Sequence, residues 1–165
     1  MQHSRFIIER YDQYYNNINN KGQFYLGINT LMIGATVSIL PKITKYCSQN
    51  FGFHLLIITF AISCFFSVLI TLKAIHPYLK KSNTNRVSSL IFFKSISEYS
   101  CSEFHEKFMA QSTPEIKSDL VYQIHALAHG LNIKFKYLRY ASCFLTIEFV
   151  LGFIIIILIS KNPSI

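Results

Sequence analysis

Polar and basic side chains recur every three or four residues near the C-terminal third of the chain: His125, His129, Asn132, Lys136 and Arg139. In a helix, this spacing places them along one face. Such a row suits two roles. It is either a solvated flank that meets lipid phosphates near Arg139, or an anion site for a phosphate-bearing ligand. The residues alone leave both interpretations open.

His125 and His129 also have the spacing of two metal ligands on one helix. The catalytic form of that motif needs a glutamate beside the first histidine, and Ala126 stands there instead. His105-Glu106 lacks a second histidine, because Met109 occupies its place. The histidines are therefore interpreted as surface residues, and no metal site is predicted.

The cysteines show neither a CxxC pair nor a metal-ligand spacing: Cys47, Cys64, Cys101 and Cys143. The sequence also lacks a glycine-rich phosphate loop, a nucleophile elbow and a carboxylate pair with a plausible shared site. We therefore expect no catalytic residues, no cofactor and no enzyme activity.

Glu148 is the one full charge inside the three longest apolar stretches of the chain. A carboxylate at membrane depth costs a few kcal/mol, so it should face protein or water, or carry a proton. It either lines an ion or proton path, or it is a protonated acid hydrogen-bonded to Asn29 or Thr30. Both interpretations predict that Glu148 points inward, with Asn29 as a second polar group at depth.

The three apolar stretches define the elements that must position these residues: Phe24–Leu40, Phe53–Leu72 and Tyr140–Ser160. Each is close to the length that a helix needs to cross ~30 Å of hydrocarbon at ~1.5 Å per residue. The predicted fold is an all-α membrane protein with three transmembrane helices. A helical cytoplasmic segment lies between the second and third, and the last span continues a long cytoplasmic helix.

Basic residues set the predicted topology, because thirteen of them lie before the first span or between the second and third, against three elsewhere. The expected segments are a cytoplasmic amphipathic arm (1–23), a span (24–40), a periplasmic loop (41–52), a span (53–72), the cytoplasmic segment (73–139), a span (140–160) and a periplasmic tail (161–165). The net charge of +8 is explained by this topology and by anionic lipid, so nucleic acid is not a predicted partner.

Two features of the first helix suggest packing surfaces. The arm carries one face of Tyr11, Tyr14, Tyr15 and Ile18, and the first span carries Gly27 and Gly34 two turns apart, beside Thr30. Small residues on one stripe allow another helix to approach closely. We therefore expect the first span to face protein, and Pro41 to end its helix.

The cytoplasmic segment predicts two helices. Ser102 before Glu103 and Glu106 indicates a short helix from about residue 103 to Met109, and Thr113-Pro114-Glu115 is typical of a helix start. Apolar residues then recur at helical spacing to position 138 without a proline. One helix of about 45 residues should run from Thr113 into the third span.

Four short pieces, in order along the chain, resemble the membrane effectors of the pyrimidine cyclase anti-phage systems, called Pycsar. They are Asn20-Lys21-Gly22 leading into Leu26-Gly27-Ile28-Asn29, then Ala74-Ile75-His76-Pro77, then Ser89-Leu90-Ile91-Phe92-Phe93 ahead of an acidic stretch from Tyr99 to Phe108, and finally Gln123-Ile124-His125 with Lys136-Tyr137-Leu138-Arg139. One departure is Asn20, where the resemblance leads us to expect an acid before Lys21.

The resemblance implies a ligand, a partner and an action. A neighbouring pyrimidine nucleotide cyclase would make cyclic CMP or cyclic UMP, and the effector would sense it as a homo-oligomer and impair the inner membrane. Cell death would then abort the infection. If binding is direct, the candidates for the phosphate are Arg86, Lys94, Lys134, Lys136 and Arg139, with Phe92, Phe93 or Tyr137 for base stacking. The competing interpretations are a constitutive small ion channel and a membrane scaffold that recruits a cytoplasmic partner.

Overall fold

The computed structural model describes residues 2–47, 51–76 and 89–161. Its elements are α1 (Gln2–Ser38), α2 (Leu40–Cys47), α3 (Phe51–Ile75), α4 (Phe93–Ile96), α5 (Cys101–Ala110) and α6 (Thr113–Ser160). These described residues contain no β-strand, which confirms the all-α prediction. Arg86, Pro77 and most of the predicted tail lie outside the described residues.

Two of the three predicted spans are long and apolar enough to cross a membrane among the described residues: α3, and α6 through its C-terminal part. The remaining predicted span, Phe24–Leu40, does not meet this requirement, because no part of α1 is apolar enough over the length of a span. The physical reason is that α1 ends at Ser38, so its apolar part is shorter than the ~20 residues of a typical span.

A break at Ile39 separates α1 from α2. Pro41 lacks a backbone N–H and cannot donate to the helical ladder, while the amides of Lys42 and Ile43 both donate to the Ile39 carbonyl at 3.1 Å. The chain therefore turns and resumes as α2 within the interval 41–52, where the sequence analysis expected a loop. Pro41 is well tolerated there because it lies in the first turn of this new helix.

The starts of α5 and α6 lie close to their predicted positions, but with different caps. Ser100, not Ser102, caps α5 through a reciprocal pair of hydrogen bonds with Glu103. Ser112, one residue before Thr113, donates its backbone N–H and its hydroxyl to Glu115 Oε2, both at 2.7 Å. The prediction that α6 is one long helix is confirmed.

The described residues form two compact units. Unit 1 comprises residues 2–16 and 89–132, and unit 2 comprises residues 17–47, 51–76 and 133–161. Unit 2 contains both candidate spans and has a small apolar core of Ile43, Phe53, Phe60, Cys64 and Ile155.

The outer surface of unit 2 exposes many large apolar side chains. Leu31 is 74% exposed, Phe51 is 85% exposed and Phe153 is 66% exposed. A soluble protein would not present so many large apolar side chains together to water, whereas lipid covers them at no cost. The unit is therefore organised as a membrane bundle.

The packed face of α1 differs from the predicted one. Its inward positions recur at steps of three and four: Ile18, Gly22, Tyr25, Asn29, Met32 and Thr36. A Cβ added at Gly27 or Gly34 would meet nothing within 4 Å, so the predicted small-residue stripe lies on the open side. At Gly22, by contrast, a Cβ would lie 2.6 Å from Ile75 Cγ1. Gly22 is therefore the glycine that permits the close approach of α1 and α3.

Candidate functional site

The most unusual group in unit 2 is the Glu148 carboxyl on α6. Glu148 is 0% exposed, and Asn29 on α1 is 1% exposed. Polar groups that are buried in a membrane bundle are costly and tend to mark function, so these two side chains define the first candidate site.

Asn29 connects α1 to α3 through its amide group. Its Nδ2 donates to the Tyr25 carbonyl at 2.9 Å and to Ser67 Oγ at 3.1 Å. Its Oδ1 is buried without a hydrogen-bond partner. The N–H groups of the amide are therefore hydrogen-bonded, whereas its oxygen is not.

Neither carboxyl oxygen of Glu148 has a hydrogen-bond partner of standard geometry, although Ser67 and Cys64 of α3 interact with this carboxyl. The predicted hydrogen bond from Glu148 to Asn29 or Thr30 is absent. Asn29 uses its donors on Tyr25 and Ser67, and the Thr30 hydroxyl donates to the Leu26 carbonyl at 2.9 Å. We refer to Asn29, Cys64, Ser67 and Glu148 as the polar cluster.

The contribution of α3 to this site was not predicted from the sequence. Ser63, Ser67 and Thr71 lie four residues apart, and all three are buried. The Ser63 hydroxyl donates to the Phe144 carbonyl of α6 at 3.3 Å, while the Thr71 hydroxyl donates to the Ser67 carbonyl at 2.7 Å. Their four-residue spacing inside an apolar stretch was the available signal, since it places small polar groups on one face.

The basic residues proposed for a ligand do not share one surface. Lys134 is only 4% exposed, and its Nζ donates to the carbonyls of Ala74 and Ile75 at 2.9 and 2.8 Å. These carbonyls end α3, so the ammonium group satisfies groups that the helix itself leaves unpaired. The C-terminal end of α3 thus meets the middle of α1 at Gly22 and the middle of α6 at Lys134, all within unit 2.

Lys136 and Arg139 lie on the other side of α6 and are exposed. Two residues rotate a helix by about 200°, which explains why Lys136 points away from Lys134. Tyr137 is half-buried between these faces. In unit 1, Lys94 on α4 is half-buried. Lys136 and Arg139, three residues apart and both exposed, form the adjacent cationic pair of the predicted set.

The segment before α4 is held by a second polar group, which we call the Ser89 anchor: Ser89, Asp119 and Gln123, all in unit 1. Asp119 Oδ2 accepts hydrogen bonds from the Ser89 hydroxyl at 2.9 Å and from the Leu90 amide at 3.1 Å. Ser89 Oγ accepts from Gln123 Nε2 at 2.9 Å. The anchor fixes the Ser89–Phe93 piece to α6.

The N-terminal arm also contacts α6 within unit 1. The Tyr15 hydroxyl donates to the Leu127 carbonyl at 3.0 Å, so part of the predicted aromatic face packs against this helix. Burial, followed by the charge of Asp12, raises the pKa of the Tyr15 phenol. His125 and His129 are exposed. No three metal-ligating side chains meet within the described ranges.

A helical membrane bundle with a buried, partly unpaired polar cluster is the class of protein that this fold and site define. The sequence model of the Pycsar effector protein domain matches residues 3–160, and the chain belongs to that family. It is also similar to the Pycsar effector protein EcPycTM of Escherichia coli, with 29% identity over 94% of this chain and 86% of the relative. No solved structure gives a significant match.

Proposed function

We propose that this protein is the membrane effector of a bacterial Pycsar system, activated by cyclic CMP or cyclic UMP, and that it impairs the inner membrane to abort phage infection. Membership of the effector family carries the anti-phage role. The observation in favour of membrane action is the polar cluster, because an unpaired carboxyl inside an apolar bundle is a point where water or ions gain entry. A pyrimidine nucleotide cyclase is the functional partner, and the effector itself is not an enzyme.

The proposed topology has three spans, with the C-terminal part of α1 as the first. Phe24 and Leu31 are largely exposed on this part of α1, and Asn29 on its other side bonds to α3. In this topology the N-terminus and the segment 73–139 lie in the cytoplasm and the C-terminus in the periplasm, a proposal supported by the distribution of basic residues.

The proposed phosphate contacts are Lys136 and Arg139, because their charges are exposed and adjacent on α6. Tyr137 would stack on the base, and Lys94 and Arg86 are further candidates. Lys134 would contribute to ligand binding indirectly, because its ammonium group already donates hydrogen bonds to the carbonyls at the end of α3.

The active form is proposed to be a homo-oligomer in contact with lipid. A single copy has too few helices to enclose a pore. The open side of α1 at Gly27 and Gly34 offers a surface where a second helix could approach closely, because small residues minimise the distance between helix axes.

Dye release from liposomes that carry the purified protein tests this proposal. We expect release with cyclic CMP or cyclic UMP, and none with cyclic AMP or linear CMP. Replacing Lys136 and Arg139 by glutamate should abolish the response by reversing the charge at the phosphate. Lys117→Glu is the matched control, because Lys117 is also exposed on α6 but lies outside the pair.

Two alternatives predict different results in the same assay. A constitutive ion channel that uses Glu148 and Asn29 would release ions with no nucleotide present. A scaffold that recruits a cytoplasmic partner would leave the liposomes intact under every condition. Either outcome, with correctly inserted protein, would contradict nucleotide-gated membrane impairment.

A further inference from the structure

The polar cluster contains more hydrogen-bond acceptors than donors. Its acceptors without a partner are three buried oxygens: Asn29 Oδ1, Glu148 Oε1 and Glu148 Oε2. The described residues contain one other such atom, Asn19 Oδ1, ten residues earlier on α1 and therefore about 15 Å away along the helix. The unpaired acceptors are thus concentrated around Ser67.

Two donors face the carboxyl. Ser67 uses its oxygen to accept from Asn29 Nδ2, which leaves its hydroxyl proton available, and Cys64 supplies a thiol proton. No described basic side chain lies within salt-bridge distance of Glu148. Two donors for three acceptors leave the cluster one proton short, and nothing nearby neutralises the charge of an ionised carboxylate.

We propose that Glu148 is a proton-binding site, and that the bound proton seals the resting bundle. A protonated carboxyl adds the missing donor and leaves two acceptors, Asn29 Oδ1 and its own carbonyl oxygen, for three donors. It also removes the buried charge. When the O–H bond breaks, the proton passes to water, and the remaining carboxylate draws water into the bundle.

A metal cation fits the cluster less well than a proton. Ca²⁺ and Mg²⁺ bind six or more oxygens, whereas the cluster offers three unpaired oxygens beside a thiol, and no three His, Cys, Asp or Glu side chains meet among the described residues. The titratable group that faces Glu148 from α3 is Cys64, while α1 contributes the neutral amide of Asn29. Cys64 is therefore the one neighbour whose own titration must be separated from that of Glu148.

Infrared spectroscopy of protein labelled with ¹³C-glutamate detects whether the Glu148 carboxyl is protonated. Glu148 is the one buried glutamate, because the others, Glu9, Glu98, Glu103, Glu106 and Glu115, are exposed to solvent. The proposal therefore predicts a protonated-carboxyl C=O band at neutral pH in the native protein in liposomes. Glu148→Gln should lack the band, and Cys64→Ala should keep it. Absence of the band in the native protein would overturn the proposal.

Dye release at rising pH, without nucleotide, tests the seal. This part rests on the proposed membrane action. We expect the release rate of the native protein to rise about tenfold per pH unit while most of the carboxyl is still protonated, and to level off as the infrared band disappears. Glu148→Gln should stay sealed because its amide is neutral and cannot lose the proton, whereas Cys64→Ala should retain a rise of the leak with pH because Glu148 is still present.

Equal leakage of the native protein and Glu148→Gln would overturn the seal, as would a leak that depends on sodium concentration instead of pH. If neither nucleotide nor alkaline pH releases dye while the band is present, the proposed membrane action fails and the proton site stands. Failure of the site and failure of the function are thereby distinguishable. Circular dichroism of each variant in the same liposomes shows whether its helices are intact.

Discussion

The Ser89 anchor and the polar cluster are both small polar groups that join helices, yet they are satisfied to different degrees. In the anchor, the Asp119 carboxylate accepts two hydrogen bonds and Ser89 Oγ accepts one from Gln123. In the polar cluster, Glu148 accepts none of standard geometry, and the oxygen of Asn29 accepts none.

The difference separates a structural group from a functional one. A satisfied network stabilises one conformation, whereas unpaired buried acceptors cost free energy that apolar side chains would avoid. A chain that retains such a cost inside its membrane bundle is expected to gain function from it. Variants that remove polar groups from the two sites should therefore have opposite effects on stability.

The largest expected effect is at the anchor. Asp119→Ala removes the acceptor of the Ser89 hydroxyl and the Leu90 amide, which should destabilise unit 1 by about 2–3 kcal/mol. Hydrogen exchange should become faster at the amides of Leu90 to Phe92. Asp12→Ala, at an exposed position of the same unit, is the control. Unchanged exchange in Asp119→Ala would show that the anchor is not structural.

The next effect concerns the close approach that brings α1 to α3. In Gly22→Ala the new methyl group overlaps Ile75, and the free energy of unfolding in mixed detergent micelles should fall by about 1–2 kcal/mol. Gly27→Ala lies on the open side of the same helix and should have little effect. In a protein that already carries Ile75→Ala, adding Gly22→Ala should cause little further loss of stability. Equal effects at both glycines would contradict the observed packing.

At the polar cluster the expected change in the free energy of unfolding has the opposite sign. Asn29→Leu removes a buried amide whose oxygen is unpaired, so the protein should be as stable as the native chain or about 1 kcal/mol more stable. Its nucleotide response should be lost. Asn132→Leu on the exposed surface of α6 serves as the control. A loss of several kcal/mol in Asn29→Leu would mean that the cluster is structural, like the anchor.

The smallest effect is the acid sensitivity of α5. Hydrogen bonds from the Ser100 amide and hydroxyl lower the pKa of Glu103. Because the folded pKa lies below the unfolded value, the cap stabilises α5 above the ordinary glutamate pKa and is lost as pH falls through the lowered one. The NMR shift of the Ser100 amide should titrate in acid, and Glu103→Gln should abolish this titration. A midpoint near neutrality would contradict the assignment.

Several elements were predictable because one strong pattern determined them. The apolar repeat from Ile116 to Leu138 predicted α6, since a 3.6-residue period sustained over several turns is typical of an amphipathic helix. Glu148 and Asn29 were identifiable as the charge and the amide inside apolar stretches. The sequence could not predict that Asn29 and Glu148 do not hydrogen-bond to each other, because this depends on which face of α1 meets α3.

Other expectations failed for local reasons. Ser100 and Ser112 replaced the predicted caps because neighbouring serines and threonines fit the same pattern, and backbone geometry selects among them. Lys134 was grouped with Lys136 by charge, although their separation by two residues places them on opposite faces of a helix. Pro41 was expected to end the first helix, whereas α1 ends at Ser38 and Pro41 lies in the first turn of α2.

Nucleotide-triggered dye release from liposomes carrying Glu148→Leu tests most directly the claim that the polar cluster is the functional site. The account predicts a folded protein at least as stable as the native chain that releases no dye with cyclic CMP or cyclic UMP, although the native protein responds. Release at the native rate from this variant would show that membrane impairment does not pass through Glu148, and would contradict the account.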